Sequence, residues 1–183
     1  GPPAPAPDTP TGLPLLQLPR GSSYRSFGWS GDRMDDGQPC PDRHDGMAVV
    51  SVRKAGWKGR GRGHGRGLEY VLIRNHERGA GAPIQAPGMY DTGIVSDGLQ
   101  AAGGTTTLTY RHDEWGSLEP SLGGTLVNCA GGLTPWGTWL TCEEIKTDAV
   151  SSTGRKHGYV FEVDPQSERT TGRPLVGMGR FSH

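Results

Sequence analysis

The chain has 183 residues, in which 19 Lys+Arg balance 19 Asp+Glu. That balance argues against nucleic acid or an anionic membrane as the main partner, and no apolar run approaches the roughly 20 residues that a bilayer-spanning helix needs. With 31 glycines, 15 prolines and a hydrophobic fraction of 32%, the apolar residues gather in short β-type runs, which predicts a turn-rich all-β chain rather than a disordered one.

Residues 1–23 are Pro-rich and read as an extended N-terminal linker or arm. The patch Leu13-Pro14-Leu15-Leu16 within it is apolar enough to dock on the domain that follows, residues 24–183. Two acidic loops come next, Asp32-Arg33-Met34-Asp35-Asp36-Gly37 and Pro41-Asp42-Arg43-His44-Asp45-Gly46. Neither completes a calcium-loop consensus, and Asp-Gly turns account for both. Shaping the mouth of a channel is their alternative role.

Strands are predicted over 47–52, 68–74, 105–110, 124–128, 136–142 and 158–163, punctuated by Gly, Pro, Asn and Asp. Between the first two lies a basic run at 53–66 with six Lys/Arg and no acid. It reads as a hairpin loop, against the alternative of an RNA-binding Arg-Gly tract. Arg74-Asn75-His76-Glu77 closes the second strand. It offers an amide, an imidazole and a carboxylate for metal ligation or phosphate orientation, or else caps a strand end with side-chain hydrogen bonds.

The richest segment is Asn128 to Glu144. Cys129 is followed by small residues that leave its sulfur open to a ligand, although a free cysteine is as readily a small core residue. Thr134-Pro135-Trp136-Gly137 forms a turn, and the chain returns through Trp139 to Cys142-Glu143-Glu144. Cys129 and Glu144 thus fit two strands joined by that turn. Adjacent residues on a strand point to opposite faces, so Glu143 and Glu144 do not share one site unless the strand has ended. Carboxylates suit calcium and ferric iron, and a thiolate adds a softer ligand. A solvated strand end is the alternative for the glutamate pair.

The strand ending at Glu77 and the strand ending at Glu144 echo each other, and Arg180-Phe181-Ser182-His183 offers a third copy. Repeated strands with irregular insertions suit propeller blades, whose inner strands line a central channel. Three cysteines, Cys40, Cys129 and Cys142, form no disulfide framework, since an odd count leaves at least one thiol free or bound.

The run from Asn128 to Glu144 resembles the PhoX family of bacterial alkaline phosphatases. Asp45-Gly46-Met47, Arg74 to Glu77, His157 to Pro165 and Gly177 to His183 resemble it in the same order. The resemblance implies a β-propeller phosphatase that uses iron and calcium to release phosphate from monoesters. It implies export through the twin-arginine route to the periplasm or beyond, and action as a monomer on small phosphate esters, with no nucleic acid partner. Cys129 would be a thiolate ligand of the iron, Glu144 a carboxylate ligand beside it, Glu143 its neighbour, and Glu77 a further metal candidate from the echoing strand. The family pattern continues past His183 with another ligand, so the chain reads as the N-terminal part of such an enzyme, inactive by itself. Two other readings fit an acidic propeller: a calcium-dependent lactonase or esterase, and a calcium-stiffened propeller used only for binding.

Overall fold

A computed structural model of the chain describes residues 1–54, 67–146 and 150–182. Most of the basic run, residues 55–66, lies outside the described residues, and so does the choice between loop and RNA-binding tract.

The Pro-rich arm is more ordered than a linker. Strands β1 (Ala4–Ala6) and β2 (Leu16–Leu18) pair antiparallel. The buried Asp8 ties them to the domain by accepting hydrogen bonds from Ser26 N at 2.7 Å, Ser26 Oγ at 2.6 Å and Thr11 Oγ1 at 2.5 Å. Burial works to raise the Asp8 pKa, but these donors outweigh it and hold the carboxyl below its ordinary value. Leu13, Leu15 and Leu16 stay exposed.

The next strands are β3 (His44–Lys54) and β4 (Leu68–His76), then the short β5 (Ala80–Gly81), β6 (Gly88–Met89), β7 (Ile94–Ser96) and β8 (Leu99–Ala101). After them come β9 (Gly103–Arg111), β10 (Glu114–Thr125), β11 (Asn128–Leu133), β12 (Trp139–Glu143) and β13 (Val160–Val163). Among the described residues, only two single-turn 3-10 helices interrupt this pattern, at Ser167–Arg169 and Val176–Met178. A five-stranded sheet runs β3-β4-β9-β10-β6, and three-stranded sheets run β11-β12-β13 and β5-β8-β7. The expected β3–β4 hairpin forms, with Lys54 opposite Leu68 and His44 opposite His76. The all-β expectation therefore holds. No ring of blades closes among the described residues, and Arg180, Phe181 and Ser182 carry no strand, so the third copy of the strand echo is absent. Local resemblance to a strand end did not supply the pairing partner that a strand requires.

Strand β4 is central and apolar on both faces. Val71 and Ile73 enter a core cluster with Val50, Tyr90, Leu122, Trp139, Phe161 and Val163, which joins the five-stranded sheet to the β11-β12-β13 sheet. Leu72, with the opposite side-chain direction, packs on a second cluster of Met34, Cys40, Leu108 and Leu118. Full burial of a side chain such as Phe161 or Ile73 contributes about 1.5–3 kcal/mol. The first cluster fixes the two sheets against each other, and the acidic groups gather at that junction.

Candidate metal centre

The alternation of a strand divides Arg74-Asn75-His76-Glu77 into two pairs. Arg74 and His76 face one way. Arg74 donates to Gly28 O and to Cys40 Sγ, both at 3.2 Å. His76 is fully buried between Asp42 O at 3.0 Å from Nδ1 and Thr106 Oγ1 at 2.9 Å from Nε2. A carbonyl only accepts, so Nδ1 carries the proton and Nε2 accepts a hydrogen bond from the Thr106 hydroxyl. Burial pushes the His76 pKa down to about 3, and both nitrogens are already used. His76 is therefore a neutral structural residue.

Asn75 and Glu77 face the other way, toward Cys129. Strand β11 gains one residue over β12 between Asn128, opposite Glu143, and Gly131, opposite Thr141. That β-bulge contains Cys129 and Ala130, and bulges re-aim side chains. The Asn75 amide donates to Cys129 O at 2.7 Å and to Ala130 O at 3.0 Å. As a result, ligand atoms of Asp45, Glu77 and Cys129 all lie within 4.8 Å of one another. Glu144 lies outside that set but hydrogen-bonds with the Cys129 thiol. Its backbone N–H is held by Val127 O at 2.7 Å. Val127 itself has φ of 52°, a strained value for a β-branched residue.

The charges of this group act on one another. Burial, the Glu144 hydrogen bond and the charges of Asp45, Glu144 and Glu77 together push the Cys129 thiol up to about 11. Three carboxylates around one thiol repel each other and the thiolate. The carboxylate oxygens are donors of the kind calcium takes, and the thiolate is a ligand for a softer metal such as iron.

Glu143 is placed differently. It is fully buried. Its Oε1 accepts from Leu126 N at 2.7 Å and His157 Nδ1 at 2.6 Å. Its Oε2 accepts from Gly158 N at 2.6 Å and Tyr159 N at 3.0 Å. Those four bonds fill its lone-pair positions. Glu143 thus braces the strand end, while Glu144, one residue beyond β12, turns to the thiol. The far side of His157 meets Asp91 Oδ2 at 3.2 Å. Both of its partners are acceptors, so both ring nitrogens donate and the ring is an imidazolium. Burial pulls its pKa down, but Glu143 and Asp91 outweigh that and raise it.

The sequence pointed to Cys129, Glu144, Glu143 and Glu77. The fold brings Cys129 and Glu77 together, with Glu144 joining only through Cys129, and adds Asp45, which reads locally as part of an Asp-Gly turn. Its signal was the hairpin register: the start of β3 lies opposite the end of β4, which places Asp45 by Glu77. Cys40, Cys129 and Cys142 are all free thiols. Surface hollows of about 550 and 520 Å³ lie elsewhere, one against Asp35, Asp36 and Glu119, the other against Cys40, Asp42 and Arg78.

The family Alkaline phosphatase PhoX matches residues 2–121 and 117–183. The chain belongs to the PhoX alkaline phosphatase family. The match takes in the Pro-rich arm as well as the strands, in keeping with the pinning of the arm by Asp8. No curated protein and no solved structure matches the chain. Among the described residues, no helix is long and apolar enough to cross a membrane. PhoX membership and the acidic thiol group together define where chemistry is to be sought.

Proposed function

We propose that this chain forms one side of the centre of a phosphatase that hydrolyses phosphate monoesters and releases inorganic phosphate. In this reading Cys129, Glu144, Glu77 and Asp45 hold iron and calcium, and Glu143 braces the strand that presents Glu144. The observation that carries it is the convergence of Asp45, Glu77 and Cys129 within 4.8 Å, in a chain of the PhoX family. When bound, the ions supply positive charge against the phosphoryl oxygens and activate the attacking oxygen. The chain's own residues orient the ligands: the bulge aims Cys129, and the strand ends deliver Glu77 and Glu144 from two sheets. The remaining sheets are the blades of a propeller, and the protein is exported to the periplasm or the exterior, where it works as a monomer on small phosphate esters.

Chelation tests this reading in the complete protein that carries the chain. Elemental analysis is expected to find iron and calcium, and Cys129→Ser to lose most of the iron. EDTA treatment is expected to abolish hydrolysis of p-nitrophenyl phosphate. Hydrolysis that survives complete removal of both metals would sink the proposal.

A further inference from the structure

Asn75 is fully buried, and all of its polar capacity is spent on one task. Its Oδ1 accepts from Trp139 Nε1 at 2.9 Å. Its Nδ2 donates to the two successive carbonyls of the bulge, Cys129 O at 2.7 Å and Ala130 O at 3.0 Å. The indole N–H can only donate and the carbonyls can only accept, so the amide has one possible orientation. Gly46 closes the frame from the side of β3. A Cβ there would stand 2.7 Å from Cys129 O and 3.3 Å from the Asn75 amide nitrogen. The two carbonyls that follow the Cys129 side chain are therefore gripped by a side chain from β4, which is itself oriented by a side chain from β12.

We propose that Asn75 is the positioning residue of Cys129: it holds the bulge in the one shape that keeps the thiol among Asp45, Glu77 and Glu144. Strand alternation makes this possible, because Asn75 and Glu77 project from the same face of β4, so one segment supplies a ligand and fixes another. The inference rests on the metal reading for its purpose but not for its geometry. Groups that orient ligands in this way typically change metal affinity 10–100-fold when removed.

The test has two arms. In the metal-free arm, the protein in EDTA is treated with iodoacetamide and the rates at Cys40, Cys129 and Cys142 are followed by peptide mass spectrometry. Asn75→Ala is expected to change the Cys129 rate by about 10-fold or more while the buried Cys40 stays slow, because Cys40 reports general loosening of the fold. Equal acceleration at all three thiols, or none at Cys129, would overturn the proposal. In the metal arm, Co²⁺ is titrated and the thiolate-to-metal absorption band is recorded. Asn75→Ala is expected to weaken Co²⁺ binding about 10–100-fold, whereas Leu108→Val, a change in the other core cluster, leaves it within 2-fold. Comparable weakening by both variants would make the role merely structural. If Asn75→Ala fails to fold, Trp139→Phe replaces it in both arms, since it removes the donor that orients the amide, and the Cys40 rate reports any loosening from the smaller core ring. An unchanged Cys129 rate and band in that variant would count against the proposal. A wild-type protein without a cobalt–thiolate band would overturn the metal reading, and the alkylation arm would still decide the role of Asn75.

Discussion

At the residue scale, neighbouring glutamates have different work because one is sealed and the other is aimed. Glu143 takes four hydrogen bonds with no exposed surface. In Glu143→Gln, an amide group must face N–H donors, leaving at least one buried donor without a partner, at a cost of about 1–3 kcal/mol. The expected result is a melting temperature several degrees lower, with metal content retained well below the melt. Glu144→Gln is expected to do the reverse, keeping stability and losing metal by elemental analysis. Equal metal loss in both would place Glu143 among the ligands. His157, held between Glu143 and Asp91, makes stability depend on pH. Its folded pKa is raised above its ordinary value of 6.5, so its charged form is favoured by folding. That contribution is fully present below 6.5 and lost as pH rises through the folded pKa. Urea midpoints of wild type and His157→Gln are expected to differ most at mildly acidic pH and to converge as the solution becomes alkaline. A gap that widens with pH would show that His157 is neutral in the fold.

At the element scale, the β11–β12 hairpin depends on close backbone approach at one position. A Cβ at Gly131 would strike the Trp139 ring and stand 2.5 Å from Leu140 O, whereas a Cβ at Gly132 meets nothing within 4 Å. Gly131→Ala is therefore expected to cost about 1–3 kcal/mol, because neither a buried indole nor a paired carbonyl can move away cheaply. Gly132→Ala should be close to neutral, and a thermal melt of the pair decides. The existence of this hairpin was readable in the sequence: the turn at Thr134–Gly137 and the apolar run around Trp139 are local signals. So was the β3–β4 pair. Strand β10 was not legible. No strand was predicted over 114–123, yet β10 is 12 residues long and carries register shifts beside Pro120 that let a proline sit within a strand. Bulges belong to a strand's partner as much as to the strand, so periodicity along one segment does not reveal them. The segment predicted as one strand over 124–128 instead ends β10 at Thr125 and begins β11 at Asn128, with the chain turning at Val127 between them.

At the scale of the whole molecule, the site is a meeting of two sheets, and this explains what its sequence could and could not disclose. Cys129, Glu77 and Glu144 stood out as chemistry-bearing residues at strand ends. Asp45 did not, because its membership depends on the register of a hairpin closed by residues far along the chain. The same assembly predicts opposite effects of one substitution in two states. Without a cation, the carboxylates of Asp45, Glu77 and Glu144 crowd like charges around the Cys129 thiol, and Asp45→Asn removes part of that repulsion. With a cation, Asp45→Asn removes a ligand. A ligand that binds only the folded state at 100 times its dissociation constant adds about 2.7 kcal/mol. For a chain of this length that corresponds to roughly 5–10 °C in melting temperature. In EDTA, Asp45→Asn is expected to melt at or slightly above the wild type. In saturating calcium, the wild type is expected to gain several degrees and the variant much less, so the order of the two reverses. Thermal melts of both proteins with and without calcium measure the crossing. Parallel shifts in the two proteins would mean that calcium binds somewhere other than this group.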